Sequence, residues 1–226
     1  MSVAERLAEV RARVAAACDR AGRDPAGVTL VAVSKTHDAA LVREAYAAGQ
    51  RDFGENYVQE LVAKRDALAD LGELRWHFIG HLQTNKARAL AAFVHAVHTV
   101  DSPRLAAELD RRAATAGRVI DVFVQVNVGG EAQKSGCAPD ELPAVLDALA
   151  PLASLRLRGL MTVPPHTEDP DEAAPYFAAL RELRDAHGGA ARLPELSMGM
   201  THDLEAAISE GATVVRVGTA IFGARG

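Results

Sequence analysis

The segment "VTLVAVSKTHDAALVREAYAAG", residues 28–49, combines a strand pattern with a helix pattern. Residues 28–35 are mostly apolar and end in Lys35, and residues 39–48 repeat apolar side chains at helical spacing. Because side chains alternate along a strand, Val31, Val33 and Lys35 share one face. Both faces of a strand in a parallel sheet are normally buried, so a lysine on such a face needs a specific role.

The same alternation of strand and helix continues along the chain. Strands are predicted over residues 28–35, 51–56, 75–82, 96–101, 119–128, 155–163, 195–200 and 213–218, and helices over 39–48, 57–69, 103–116, 139–149 and 171–187. Helices between strands imply parallel pairing through right-handed crossovers, and eight such strands close into a barrel. We predict one α/β domain over residues 1–226, a (β/α)8 TIM barrel, with an open doubly wound sheet as the alternative.

An additional helix is predicted before the first strand. Val3, Leu7, Val10 and Val14 recur at helical spacing, and Gly22 follows the pattern, which indicates an amphipathic helix over the first 21 residues. Since the chain ends shortly after the eighth strand, we expect this helix to cover the junction of strands eight and one. Caps are expected for the later helices at Asp38, Asn56, Asp101 or Ser102, and Thr201.

The composition narrows the class of protein. Hydrophobic residues make up 49% and charged residues 24% of the 226 residues, as in soluble globular proteins. A net charge of −5 without a basic tract, with 4% aromatic residues, argues against a nucleic-acid partner. Two cysteines, Cys18 and Cys137, form neither a disulfide framework nor a metal motif. Because no signal or membrane-spanning pattern is present, we expect a cytoplasmic protein. We also expect a monomer rather than a dimer.

Two cations are predicted to meet at the mouth of the barrel. The site of a (β/α)8 barrel lies at the C-terminal ends of its strands. Arg216 alternates with Val214 and Gly218 on strand eight, so we expect it to share the interior with Lys35 on the adjoining strand. Buried cations require a counter-charge. A bound anion would supply it, and pairing with a nearby Asp or Glu is the alternative.

The loops after strands seven and eight favour a phosphate. The segments "LSMGMTHDLEAAI" (196–208) and "RVGTAIFG" (216–223) each combine glycine, hydroxyl groups and a helix start, and these loops form the usual phosphate site of the fold. A Schiff base on Lys35 requires a neutral amine, which burial and a neighbouring arginine favour by lowering the lysine pKa. An aldehyde that carries a phosphate, such as pyridoxal 5′-phosphate, would satisfy both requirements.

The motifs together resemble a known family. They are "VAVSK" (31–35), "FGENYVQE" (53–60), "WHFIGHLQTNK" (76–86), "VNVGGEAQKSG" (127–136), "GLMTV" (159–163), "LSMGMTHD" (196–203) and "RVGTAIFG" (216–223). In this order they resemble the pyridoxal phosphate homeostasis protein family, small relatives of the N-terminal barrel domain of alanine racemase. Two positions depart from the family pattern: "SMGMT" replaces the usual "SMGMS", and Asp38 stands where proline is frequent. Thr201 keeps a hydroxyl, and Asp38 can cap a helix.

The resemblance implies a cofactor site. It implies that Lys35 carries pyridoxal 5′-phosphate as an internal aldimine, that Asn56 lies beside the ring, and that Arg216 faces the pyridine nitrogen. The remaining residues expected at the cofactor are Ser197, Met198, Gly199, Thr201, Gly218 and Thr219, with Ser197, Thr201, Gly218 and Thr219 around the phosphate.

The family likeness also implies a role in cofactor homeostasis, by buffering or by delivery to amino acids or apo-enzymes through transimination, without robust catalysis. An arginine at the pyridine nitrogen weakens the ring as an electron sink. No catalytic residue is therefore predicted.

Other readings of the sequence remain open. A pyridoxal-phosphate amino-acid racemase or a Schiff-base aldolase are the alternatives, whereas a pure interaction module does not explain two buried cations. His77 and His81 are about 13 Å apart along a strand, too far to share one metal ion, so we expect His77 to be packed, His81 to lie at the rim, and no metal site. His37 is a candidate contact of the ligand, and the family likeness makes Lys134 a candidate rim residue, with a simple polar turn over residues 130–136 as the alternative.

Overall fold

The structure, a computed structural model, describes residues 1–131 and 133–224 and contains a closed parallel barrel. Eight strands pair in chain order, and β1 pairs with β8 to close the sheet. The strands are β1 Thr29–Val33, β2 Asp52–Glu55, β3 Arg75–Phe78, β4 Ala96–Val100, β5 Ile120–Gln125, β6 Leu155–Met161, β7 Glu195–Ser197 and β8 Val214–Val217. The predicted (β/α)8 barrel is confirmed, and the open sheet is wrong. Most strands are shorter than predicted because the predicted C-terminal residues turn into the loops at the barrel mouth.

Helices surround this barrel and follow the predicted order. They are α1 Val3–Arg20, α2 Ala39–Ala47, α3 Val58–Ala67, α4 Ala87–Ala91, α5 Pro103–Thr115, α6 Leu142–Leu149, α7 Ala174–Ala186, α8 Gly189–Arg192, α9 Leu204–Ser209 and α10 Thr219–Phe222, with 3₁₀ turns at Pro25–Gly27, Thr84–Lys86 and Pro170–Ala173. No helix in the described ranges is both long and apolar enough to cross a lipid bilayer.

The leading helix α1 packs over the seam, the junction at which β8 pairs with β1. A capping box of Ser2 and Glu5 starts α1, because the Ser2 side chain accepts from the Glu5 N–H and the Glu5 carboxylate accepts from the Ser2 N–H. The helix packs against α2, α9 and α10. Arg6 Nε donates to the Ile221 carbonyl at 2.6 Å, and Arg13 forms an ion pair with Glu205. The position expected for this helix is therefore confirmed.

Two of the expected helix caps are wrong. Tyr57, and not Asn56, occupies the N-cap position of α3, because the chain runs one residue further before the helix begins. At α9 the N-cap is Asp203 rather than Thr201, and Asp203 Oδ1 accepts from the Met200 N–H at 2.6 Å, which closes the turn before the helix.

The other two caps lie where they were expected. Asp38 occupies the cap position of α2 without a side-chain cap bond, and Ser102 accepts from the Leu105 N–H at the start of α5.

The barrel interior continues the face that carries Lys35. Val31 packs there with Phe123 and Met161 in a buried cluster that also contains Ala96 and Val214. Val33 and Lys35 follow on the same side and line the cavity above that cluster. The larger apolar cluster lies outside the barrel, between strands and helices. The alternation read from the sequence therefore places Lys35 at the interior mouth, where parallel strands end.

Close approach of β6 and β7 depends on a glycine. A Cβ atom at Gly159 would lie 1.7 Å from the Glu195 carbonyl oxygen, a distance that no side chain can adopt without moving the backbone. We expect Gly159→Ala to lower the free energy of unfolding by about 3 kcal/mol, at the upper end of overpacking effects. Denaturant unfolding measures this change. Gly72→Ala is the control because a Cβ there meets nothing within 4 Å, and an equal effect of both variants would contradict the expectation.

Candidate functional site

A cavity of about 530 Å³ opens at the C-terminal ends of the strands, where the fold places functional sites. Six of the nine predicted cofactor residues line it: Lys35, Asn56, Thr201, Arg216, Gly218 and Thr219. The other three are Ser197, Met198 and Gly199, which lie outside its lining. Ser197, at the end of β7, and Met198 after it are fully buried, and direct contact of these three residues with the cofactor stays a prediction.

Arg216 is a buried cation at the cavity. The residue is only 3% exposed, yet its guanidinium reaches the cavity lining. Nη1 donates to Ser197 Oγ at 2.6 Å, and Nη2 donates to the Thr162 carbonyl at 2.9 Å. No carboxylate within the described residues forms an ion pair with it, so the alternative of an Asp or Glu partner receives no support there. Burial lowers the pKa of Arg216 to about 10, against the effect of Asp203, and the side chain stays charged at neutral pH.

Lys35 lies in the turn that follows β1 and is half-buried. The next residue, Thr36, has φ +65°, the left-handed region that β-branched side chains rarely adopt. Such a backbone persists only when its surroundings hold it in place. Here the Thr36 N–H donates to Glu60 Oε1 at 2.6 Å. The strained turn therefore gives Lys35 a defined position at the barrel mouth.

A buried ion cluster of Glu55, Lys64 and Glu60 supports this turn from below. Lys64 Nζ lies 2.6 Å from Glu55 Oε1 and 2.7 Å from Glu60 Oε1. It also donates to the Ser34 carbonyl at 2.6 Å, and the Ser34 hydroxyl donates to Glu55 Oε1. Residues on both sides of Lys35 are thus bonded to the cluster. Burial raises the pKa of Glu55, whereas the hydrogen bonds from Lys64 and Ser34 act in the opposite direction.

The sequence analysis missed this cluster, although the sequence contains a signal for it. Lys64 recurs at helical spacing with Val58, Leu61 and Leu68, which form the buried side of α3 and its C-terminal cap. A lysine among the buried positions of an amphipathic helix needs a partner. The carboxylates that provide it lie on β2 and one turn earlier in α3.

Asn56 offers an unpaired acceptor to the cavity. Its Oδ1 atom is buried and accepts no hydrogen bond from the described residues. Buried polar atoms are rarely left without a partner, so this oxygen points to a ligand group. The backbone of Asn56 lies close against the loop that follows β3, since a Cβ atom at Gly80 would lie 2.0 Å from the Asn56 carbonyl oxygen.

Rim residues complete the site. His37, the candidate ligand contact, and Lys134, the candidate rim residue, line the cavity. The His37 ring lies 5.5 Å from the Phe222 ring, and Lys134 Nζ donates to the Pro164 carbonyl at 2.7 Å. His81 is exposed, as expected of a rim residue, and His77 is buried. Among residues 1–131 and 133–224 no three His, Cys, Asp or Glu side chains group as metal ligands.

Comparison with known proteins finds relatives along nearly the whole chain. Residues 6–226 match the family model of the alanine racemase N-terminal domain. The chain is 54% identical over 225 residues to the pyridoxal phosphate homeostasis protein of Pseudomonas aeruginosa, covering 99% of this chain and 96% of that relative. A protein of the same name from Aquifex aeolicus is 46% identical over 227 residues, with 100% and 99% covered.

A solved structure agrees with these sequence relatives. PipY of Synechococcus elongatus with PLP bound has a TM-score of 0.84 and 43% identity, covering 98% of this chain and 100% of that one.

Removal of the Lys64 amine should destabilise the fold. Lys64→Met leaves Glu55, which is fully buried, without its cation, and breaking a buried ion pair from one side typically lowers stability by about 3–5 kcal/mol. Chemical denaturation measures the change in the free energy of unfolding. Arg43→Met breaks the exposed pair with Asp70 and should lower stability far less, because solvent screens an exposed ion pair. Similar losses in the free energy of unfolding for both variants would show that the buried cluster stabilises the fold no more than an exposed ion pair does.

Proposed function

This chain belongs to the pyridoxal phosphate homeostasis protein family, and from that premise we propose that it holds pyridoxal 5′-phosphate as an aldimine on Lys35 and buffers or delivers this cofactor in the cytoplasm. One observation carries the proposal: the amine of Lys35 and the buried cation of Arg216, which has no carboxylate partner among the described residues, line the same cavity. A phosphorylated aldehyde supplies both the electrophile and the negative charge that such a pair requires.

The residues at the cavity fit this cofactor. A volume of about 530 Å³ lies within the usual range of small-molecule sites. The unpaired Asn56 Oδ1 can accept a hydrogen bond from a polar ring substituent or from ordered water at the ring. We propose that Arg216 faces the ring nitrogen and that Thr201 and Thr219 donate hydroxyl groups to the phosphate. Gly218, Gly199, Met198 and Ser197 shape the backbone around and behind it.

The proposed chemistry is reversible imine exchange. Pyridoxal 5′-phosphate supplies an electrophilic aldehyde when it is bound. Lys35 would supply the neutral amine that forms a C–N bond to this aldehyde carbon, and both hydrogens of that amine would leave with the carbonyl oxygen as water. During delivery an incoming amine would replace Lys35 at the same carbon and pass its two hydrogens to Nζ, so that Lys35 leaves as the free amine. No oxidant or reductant is consumed, and the amine can come from a free amino acid or from a lysine of an apo-enzyme.

We propose a carrier without robust catalysis, rather than a racemase or an aldolase. Catalysis at the α-carbon of an amino acid requires a ring that accepts electrons from a carbanion. A cationic guanidinium beside the ring nitrogen opposes protonation of that nitrogen and so reduces this capacity. We further propose that the carrier acts as a monomer and makes no contact with nucleic acid or membrane.

Loss of Lys35 should abolish the covalent adduct. With added pyridoxal phosphate, the unmodified protein should show an imine absorption band, and borohydride reduction should fix the cofactor on the peptide that contains Lys35. Lys35→Ala should lose both signals while retaining weak binding through the phosphate. Lys134→Ala is the matched control because Lys134 lines the same cavity, and it should retain the adduct on Lys35. An unmodified protein without band or adduct would overturn the cofactor assignment.

Exchange of the α-hydrogen of amino acids distinguishes a carrier from a racemase. In heavy water, the loaded protein should exchange the α-hydrogen of alanine no faster than free pyridoxal phosphate does, because the ring is a poor electron sink beside Arg216. Proton NMR follows the loss of the α-hydrogen signal. Exchange that depends on Lys35 and exceeds the free cofactor by about a hundredfold or more, the size of a general acid–base contribution, would establish the racemase alternative instead.

A further inference from the structure

Buried side chains form an unbroken hydrogen-bonded chain from the cavity to the opposite end of the barrel. Arg216 Nη1 lies 2.6 Å from Ser197 Oγ, and Ser197 Oγ lies 2.8 Å from His98 Nδ1. His98 Nε2 lies 2.9 Å from His77 Nδ1, and His77 Nε2 lies 2.9 Å from Asp52 Oδ1. No member is more than 7% exposed. These five residues, Arg216, Ser197, His98, His77 and Asp52, are called the interior chain here.

Opposite charges terminate the interior chain. Arg216 is a guanidinium, which only donates hydrogen bonds. Asp52 lies at the start of β2 and accepts two hydrogen bonds from Arg75, at 2.7 and 2.6 Å. Burial raises the pKa of Asp52, but the hydrogen bonds from His77 and Arg75 outweigh burial and hold this pKa well below its ordinary value. An ionised carboxylate only accepts, so the two ends favour one direction for the bonds between them.

The tautomers of His98 and His77 determine which ring nitrogen donates and which accepts along the interior chain. Burial holds the pKa of His98 well below its ordinary value, so its ring is neutral, with one nitrogen that donates and one that accepts. When His77 donates from Nε2 to Asp52 and carries a single ring hydrogen, its Nδ1 accepts from His98 Nε2–H. His98 Nδ1 then accepts from the Ser197 hydroxyl, whose oxygen accepts from Arg216. In this state every donor points from Arg216 towards Asp52.

The direction of these hydrogen bonds determines which acceptors Arg216 has. The hydroxyl hydrogen of Ser197 is directed to His98, which leaves the Ser197 oxygen as an acceptor for Arg216. Together with the Thr162 carbonyl, this oxygen binds the two Nη groups of Arg216. The guanidinium is therefore fixed on its inner side, while it still lines the cavity on its outer side.

We infer that His98, His77 and Asp52 are positioning residues for the cofactor, which act through Ser197 on Arg216. This inference rests on the proposed function, because the group that Arg216 would face is the cofactor ring. A merely structural role predicts only that loss of a member destabilises the fold. A positioning role predicts in addition that the members alter cofactor affinity and the imine spectrum as one unit, since they act through a single guanidinium.

The test is a double-mutant cycle on the interior chain. Ser197→Ala and His98→Phe each interrupt it, and each should raise the dissociation constant for pyridoxal phosphate about tenfold and shift the imine band in the same direction. The double variant should also show about a tenfold change, rather than the hundredfold change expected of independent sites. Effects that multiply to about a hundredfold, or unchanged affinity and spectrum in both single variants, would overturn the inference.

Further variants separate positioning from folding. His98→Gln retains one donor and one acceptor and should restore part of the affinity, which covers the case in which His98→Phe does not fold. His95→Gln is the control, because the His95 ring lies 5.5 Å from the His77 ring but outside the interior chain, and it should leave affinity and spectrum unchanged. Loss of affinity in His95→Gln equal to that in Ser197→Ala would indicate a general perturbation of the barrel and overturn the inference.

A measurement without cofactor separates this inference from the proposed function. In cofactor-free protein, ¹⁵N NMR of the histidine rings should show His98 with hydrogen on Nε2 and a bare Nδ1. Hydrogen on His98 Nδ1 would overturn the proton order, and with it the positioning role, even if the cofactor binds. By contrast, absence of an imine band in the unmodified protein, with the expected His98 tautomer, would refute the proposed function and leave the interior chain as a structural network only.

Discussion

The constraint on which this structure depends is the burial of a guanidinium inside a closed barrel. Parallel strands that close on themselves leave an interior with no access to water, and Arg216 lies there at 3% exposure. Its charge is balanced by no carboxylate within ion-pair distance among the described residues. Instead its hydrogen bonds pass through Ser197 and two histidines to Asp52, at the far end of the barrel. Polar groups therefore occupy interior positions that apolar residues fill in other barrels of this kind.

A second network of buried charges holds the turn that contains Lys35. The cluster of Glu55, Lys64 and Glu60 bonds to the backbone on both sides of Lys35, and the left-handed conformation of Thr36 depends on it. The two cations of the cavity, on neighbouring strands, are thus supported by two separate networks. The proposed imine exchange at Lys35 would benefit from a fixed approach, because reaction requires the attacking atom at a defined position.

The sequence was sufficient for the fold and for the position of the cavity. Strand and helix periodicity predicted the eight strands, and alternation in β1 placed Lys35 on the interior face, because both signals are local. The caps predicted at Asn56 and Thr201 were wrong, because the first residue of a helix depends on where the chain leaves the preceding strand. The interior chain was not predicted, because His98, His77 and Asp52 lie on three different strands. Only barrel closure brings these residues together with Ser197, and no short stretch of the sequence predicts the hydrogen bonds between them.

The position of α1 against α9 and α10 has a consequence for the order of folding. Helix α1, which is made before the barrel strands, packs on helices made after most of them, and β1 pairs with β8, so the seam closes only through contacts between residues distant in sequence. Contacts of this range form slowly because a long loop must close before they stabilise the chain. Lys35 and Arg216 stand on either side of that seam. A chain still emerging from the ribosome therefore has no complete cavity, and cofactor capture is restricted to molecules whose barrel has closed.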